Sequence, residues 1–408
     1  MSSGNVVELP GLPNLPDAQR LPADAARRAV TASGAVAVLG VILCVIAALT
    51  DPKRLAFSYL TGFAFTATLA AGALFFVLLQ HLTKAGWSVA ARRPMEWIAG
   101  SMPILLVLFI PVVVMASRSY AAWWAGPEVL HDELLAKKQV WLSSGFFIVR
   151  GFVYIAIWSA LGWTFSRQSE RQDTSGDPAI TSYLQKLSAP MMLVFAVTIS
   201  FAGFDWLMSL QPKWYSTIFG VYVFAGGFVG AMAVLALITI RLQRAGLYKR
   251  VSTVEHRHDI GKLMFAFVVF WAYIAFSQFM LIYYANLPEE TIFFRNRWFS
   301  SWSNVSLLLV FGHFAFPFLF LMSRHVKRHP VGFTVGAIVI LFSHYVDMYW
   351  LVMPILDTEG VHPSWIDVAG LLAPVGIMAT VVALRAKATY LYPVKDPRLA
   401  ETLRVENF

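Results

Sequence analysis

About ten stretches, each roughly 20 residues or longer and nearly free of charge, fill the sequence between residues 29 and 385. A stretch of that length crosses the roughly 30 Å hydrocarbon core of a bilayer as a helix. Hydrocarbon offers backbone amides no partners, so each segment must satisfy its own. The chain is therefore expected to be an all-α integral membrane protein. The expected spans are 29–49, 57–82, 97–117, 140–165, 189–210, 216–241, 260–285, 300–323, 331–353 and 364–385.

Composition narrows the choice of function. Charged residues make up 13% and hydrophobic ones 58% of the 408 residues, whereas a soluble domain carries nearer a quarter charged residues. The net charge of +9 does not indicate nucleic acid, because the basic residues lie in segments flanking the spans. Cys44 is the single cysteine, inside the first apolar stretch, and reads as a small core residue. With no second thiol, the chain by itself cannot ligate an iron–sulfur cluster or attach a c-type haem. Residues 1–28 form a polar tail with four Leu-Pro pairs, Leu9-Pro10, Leu12-Pro13, Leu15-Pro16 and Leu21-Pro22. It has no signal-peptide pattern and reads as an extended segment suited to a partner's surface.

Orientation follows from lysine and arginine. With the N-terminus inside, inner segments hold 22 of them and outer loops eight. That bias places both termini in the cytoplasm, as an even number of spans requires.

The spans also repeat. Trp141-Leu142-Ser143-Ser144 stands 26 residues before Arg167, measured from the tryptophan, and Trp298-Phe299-Ser300-Ser301 stands 26 before Arg324. Asp205 precedes Pro212 by seven residues, as Asp347 precedes Pro354. Phe57-Ser58 with Gly62 and Gly72 matches Tyr215-Ser216 with Gly220 and Gly230. The order is preserved across an even number of spans, so these are parallel repeats. The expected architecture is two four-helix bundles, residues 57–213 and 214–355, with flanking helices in 29–56 and 356–408.

Ionisable side chains inside spans are costly and mark interiors or pathways. Arg150 and Asp205 lie on consecutive antiparallel spans, within reach of a guanidinium. They form either a bundle-locking ion pair or part of a proton or quinone site. His344 and Asp347, three residues apart, share one helical face, and His313 comes to similar depth on the preceding span. A carboxylate beside a histidine suits proton relay, and Ser343, Tyr345 and Tyr349 extend the polar set. A bis-histidine b-haem at His313 and His344 is an alternative. His258, Asp259 and Lys262 cluster at the start of the seventh span, as the mouth of a proton path or as a helix cap. His81, Glu96 and Asp367 are expected at the interface. So are the aromatics Trp123, Trp124, Trp214, Tyr283, Tyr284, Trp298, Trp302 and Trp365.

Three segments carry a family resemblance: Phe204-Asp205-Trp206-Leu207-Met208-Ser209-Leu210-Gln211-Pro212-Lys213-Trp214-Tyr215-Ser216-Thr217-Ile218-Phe219, His258-Asp259-Ile260-Gly261-Lys262-Leu263-Met264-Phe265 and Tyr284-Ala285-Asn286-Leu287-Pro288-Glu289-Glu290. They resemble the smaller NrfD-like membrane subunit, the F subunit, of bacterial alternative complex III. The resemblance implies a multi-pass subunit of a quinol:cytochrome c oxidoreductase in the bacterial cytoplasmic membrane. The implied partners are an NrfD-like sister subunit, an iron–sulfur protein and c-type cytochromes, together with lipid and the quinol pool. The haem c and iron–sulfur centres would reside in those partners, and a quinone is the ligand this chain could meet. Trp206, Trp214 and Tyr215 are the implied quinone contacts. The sister subunit carries a histidine where this chain has Tyr215, and a phenol is a poor base near neutrality. That departure argues against direct quinol oxidation here and for a scaffold with a proton half-channel. The rival function is a stand-alone secondary transporter. Against it, Pro317 is the clearest mid-span proline and its counterpart in the first repeat is Ala160, so paired helix breaks are not expected.

Overall fold

The computed structural model describes residues 20–126, 133–248 and 251–407. Most of the expected N-terminal tail lies outside the described residues. The principal helices are α1 (Ala23–Thr50), α2 (Pro52–Leu82), α3 (Val89–Gly100), α4 (Ile104–Val114), α5 (Ser144–Ser175) and α6 (Pro178–Trp206). They continue as α7 (Phe219–Arg244), α8 (Val254–Ala285), α9 (Pro288–Trp298), α10 (Trp302–Met322), α11 (Pro330–Val352) and α12 (Trp365–Ala388). Among the described residues, nine of these are long and apolar enough to cross a membrane, and α3 with α4 makes a tenth if that bent pair is one span. The chain is all-α and of the multi-pass membrane type.

Local chemistry sets the boundaries, and several differ from expectation. The third span is broken: α3 and α4 meet at 44° around Pro103, whose ring removes a backbone donor. The expected loop between the fourth and fifth spans is almost entirely helical. α5 runs on to Ser175 and stops at Gly176, whose φ of 66° only glycine adopts freely. Asp177 then caps α6 by accepting from Ala179 N at 2.9 Å, with Pro178 in the first turn. α8 begins six residues before its apolar stretch, at a capping box formed by Thr253 and His256. The expected outer loop after α8 contains α9.

Within α10, residues Leu309–Ala315 form a π-helical stretch. Pro317 lies just beyond it. A regular helix would need its N–H to reach the carbonyl of His313, and proline has none, so the register loosens ahead of it.

Two helices form the centre. α2 packs against α3, α6, α7, α11 and α12, and α7 packs against α2, α6, α8 and α11. Both are buried over most of their length. In lipid no hydrophobic force draws helices together, so close backbone approach at small residues does. A Cβ on Gly72 would meet the Gly227 carbonyl oxygen at 2.6 Å, and one on Gly62 would meet that of Gly370 at 2.1 Å. α1 packs chiefly along α12, with Gly40 against Ala373 and Gly376 against Ala37. The start of the first helix and the end of the last one lie on one face of the helix array, here termed the terminal face, where Arg20 bridges to Tyr390.

The α2–α7 crossing yields a prediction. Gly72→Leu should destabilise the protein by about 1–3 kcal/mol or more through overpacking. Gly34→Ala, at a site with open space around it, should stay within about 0.5 kcal/mol. Thermal unfolding in detergent compares the two; equal midpoints would contradict the close crossing.

Candidate functional site

Asp205 sits in the last turn of α6, fully buried. Arg150, in the second turn of α5, grips it with Nε at 2.7 Å from Oδ2 and Nη2 at 2.8 Å from Oδ1. Trp141 Nε1 donates to Oδ1 at 2.9 Å, and the Tyr154 hydroxyl donates to Oδ2 at 2.9 Å. Each carboxylate oxygen thus accepts two hydrogen bonds, close to its full capacity. The rings of Trp141 and Phe146 cover the guanidinium at 4.0 and 4.1 Å. This is a closed, charge-neutral unit with no free lone pair directed at a substrate.

Asp347, on α11, is as deeply buried but differently partnered. The Tyr222 hydroxyl of α7 donates to one oxygen, and Trp271 Nε1 of α8 donates to the other at 3.2 Å. No cation lies within ion-pair distance among the described residues. By the tryptophan-to-arginine spacing of the repeat, the counterpart of Arg150 is Leu307, which is exposed on α10.

The second half does hold a buried arginine, but elsewhere. Arg297 on α9 donates to the carbonyl oxygens of Trp350 at 3.0 Å, Leu351 at 2.9 Å and Phe293 at 2.9 Å, and to Gln211 Oε1 at 3.2 Å. It has no carboxylate partner among the described residues. Burial pushes its pKa down to about 9, opposed by the nearby Tyr222 phenol. The group remains protonated at neutral pH. The buried carboxylate and the buried arginine of this region are thus held separately, Asp347 by Tyr222 and Trp271 and Arg297 by backbone carbonyls and Gln211.

His344 lies one turn before Asp347. Its Nε2 is 3.0 Å from Thr68 Oγ1 of α2, and its ring packs against the backbones of Gly226 and Gly230 of α7. His313 sits in the π-helical stretch, stacked on Trp271 at 4.0 Å between ring centroids. The two imidazoles are 6.4 Å apart. His344 Nδ1, both nitrogens of His313 and Ser343 Oγ have no protein partner. Asp347, Trp271, His313, His344 and Thr68 thus form a contiguous buried polar track with unused hydrogen-bonding capacity. Against the b-haem alternative stands the Thr68 hydroxyl, which already engages Nε2 of His344. Tyr345 and Tyr349 do not extend the track, because both hydroxyls turn to Asp367, at 3.4 Å to its carbonyl and 3.3 Å to its carboxylate.

The remaining candidates do not converge on this track. Asp259 pairs with Lys262 at 2.6 Å, and Asn407 of the C-terminal segment bonds both. His258 is buried beside them with Nδ1 unpartnered. Asp259 is not a helix cap, since Thr253 supplies that. It lies about 18 Å along α8 from Trp271, at about 1.5 Å per residue. Trp206 is enclosed by Phe63, Phe109 and Trp158. Trp214 stacks on Phe293 at 4.1 Å. Tyr215 is exposed, with Lys138 over its ring. Trp214 and Tyr215 border one cavity of about 460 Å³ together with Lys138 and Trp141, and Trp206 does not reach it.

Several expected interfacial groups are core. Trp123, Trp214 and Trp302 are buried, whereas Tyr283, Tyr284, Trp298 and Trp365 are exposed as a belt requires. His81, Glu96 and Asp367 are buried as well. Glu96 joins a charge network at the terminal face: Arg92 contacts Glu96 at 2.8 Å and Asp396 at 2.6 Å, and Arg93 contacts Asp173 at 2.6 Å. Asp367 joins a second network on the opposite face, receiving Arg54 at 2.9 Å and Ser58 at 2.6 Å. Loop counting had assigned Arg54, Arg92 and Arg93 to flanking segments. The close acid at Glu96 was the available signal that the last two were paired.

Comparison with known proteins finds no family model that matches the chain and no characterised protein that matches it.

The two carboxylates should respond differently to mutation. Arg150→Met leaves Asp205 buried and unpaired and should cost about 3–5 kcal/mol; adding Asp205→Leu should recover at least half. Asp347→Asn strands no ion-paired cation and should cost about 1 kcal/mol or less. Chemical denaturation in mixed micelles measures all three, and an equal loss for Arg150→Met and Asp347→Asn would refute the distinction.

Proposed function

We propose that this chain is an integral subunit of a respiratory quinol:electron-acceptor oxidoreductase of the alternative complex III type, serving as scaffold and proton half-channel. Two four-helix units compose it, one of α2, α3/α4, α5 and α6 and the other of α7, α8, α10 and α11, with α1 and α12 flanking. Both termini face the cytoplasm of a bacterial inner membrane. The redox centres sit in partner chains: an iron–sulfur protein, c-type cytochromes and an NrfD-like sister subunit. The resemblance of the Phe204–Phe219, His258–Phe265 and Tyr284–Glu290 segments supports the family assignment.

The observation that carries the proton role is the contrast between the buried carboxylates. The Arg150–Asp205 unit has no reason to exchange a proton and holds α5 to α6. Asp347 has two neutral donors and no cation, so taking or releasing a proton breaks no ion pair. Tyr222 and Trp271 hold the carboxylate in place. His344 and His313 continue the polar track toward α2 and α10, with nitrogens free to bond water or accept a proton. Electron transfer in the partners would bias this track through the electrostatic field. Direct quinol oxidation at Tyr215 is not part of the mechanism.

The test is gentle purification by an affinity tag from the native host, followed by a visible spectrum. Co-purifying c-type haem supports the reading; a colourless, monodisperse chain favours a stand-alone transporter. In the haem-containing complex, Asp347→Asn should lower quinol turnover and coupled proton release by at least about tenfold, with subunit content unchanged. Asp205→Asn should lower the yield of assembled complex while sparing turnover per complex. Normal proton release in Asp347→Asn would eliminate the half-channel.

A further inference from the structure

The polar track has a neighbour that the proposed function does not use. A cavity of about 600 Å³ opens on the flank of the second half between α8, α9, α10 and α11. Its volume lies within the range of ordinary ligand sites. The exposed side chains Tyr273, Phe276 and Val310 form its rim, so the opening faces the membrane and not either aqueous side. Its walls are mostly flat rings, including Trp271, Phe279, Phe293, Trp298 and Phe314.

Tyr273 and Trp298 bring polar atoms to the exposed rim, and among the buried polar side chains of the wall one is uncommitted among the described residues. The Tyr222 hydroxyl donates to Asp347, and Ser306 is bonded to Arg297, Trp302 and Trp350. Gln278, although only 5% exposed, has a different status. Its Oε1 accepts a long bond of 3.4 Å from Ser216, and its amide nitrogen donates to nothing among the described residues. The side chain is held in the wall while its amide nitrogen stays accessible at the cavity, which Gln278 lines.

We infer that this cleft binds the oxidised ring of an isoprenoid quinone, which enters from the lipid, stacks between the aromatic walls and accepts a hydrogen bond at one carbonyl from the Gln278 amide. Planar walls suit a planar ring, whereas an acyl chain needs neither flat faces nor a donor. The amide nitrogen offers a donor while Oε1 already accepts from Ser216, which matches a ring carbonyl, an acceptor with no proton to donate. The bound ring would lie against Trp271 and Tyr222, the two residues that hold Asp347, so occupancy would act on the carboxylate through its own donors. The inference rests on the proposed quinone-linked setting for the ligand's identity, while the cleft itself is independent of that setting. The site lies in the second half, away from Trp206 and Tyr215.

The experiment uses the native complex in nanodiscs of host lipid. Azido-substituted naphthoquinone and benzoquinone, each bearing an isoprenoid tail, are photoactivated in parallel, and labelled peptides are mapped. Labelling should fall within residues 269–314, be displaced by the unlabelled oxidised quinone and persist against an equal excess of phosphatidylethanolamine. Gln278→Leu should reduce it about tenfold, the equivalent of one lost hydrogen bond in an apolar site. Val310→Trp, which fills the cleft from an exposed rim position, should abolish it. Displacement by phospholipid as readily as by quinone, labelling confined to other segments, or full labelling in both assembled variants would overturn the inference. If haem-containing complex oxidises quinol while the cleft stays unlabelled, the inference alone fails. If no haem co-purifies and the cleft still labels, the site stands and the proposed assembly falls.

Discussion

A carboxylate buried among apolar helices must be matched by a cation or be free to surrender its charge, because removing an unpaired ion from water costs several kcal/mol. This chain contains one instance of each arrangement. Asp205 is closed by Arg150, Trp141 and Tyr154, and the result is a rigid joint between α5 and α6. Asp347 is held by a phenol and an indole alone, and the arginine of that half has moved to α9, where carbonyl oxygens hold it.

The packing around these groups shows how such residues are tolerated. Gly226 and Gly230 leave a groove on α7 that receives the His344 ring, and Thr68 reaches it from α2. The π-helical stretch carries His313 to the face of Trp271. The two central helices therefore contribute small residues where another helix or an imidazole must come close, and bulkier ones elsewhere. Stability and chemistry draw on the same feature, the absence of side chains along one strip of α7.

Much of this was legible in the sequence. Apolar length located the spans, and the spacing of Arg150 and Asp205 indicated their pairing because antiparallel neighbours place them at similar depth. The three-residue interval between His344 and Asp347 put both on one face, and both point inward. What was missed followed from rules that look outward from a segment. Counting basic residues as loop markers concealed Arg92 and Arg93, whose acidic partners Asp173 and Asp396 are remote in the chain. Tail-to-helix contacts at Asn407 could not be read from local pattern. The α5–α6 connection looked like a polar loop because Arg167, Arg171 and Lys186 suggested one, although Gly176 and Asp177 alone carry a compact turn. The break in α10 was sought as a pair of matched prolines, whereas Pro317 alone suffices to loosen the preceding turn.

The terminal-face network has a consequence for how the protein is made. Arg92 is neutralised in part by Asp396, 304 residues further along the chain. At ribosomal speeds, on the order of tens of seconds separate the synthesis of the two. During that interval α3 must reside in or beside the insertion machinery with a guanidinium that its neighbour Glu96 only half satisfies. The segment that carries Asp396 therefore acts as a closing latch, and Arg92 reaches its native charge balance only after residue 396 has left the ribosome.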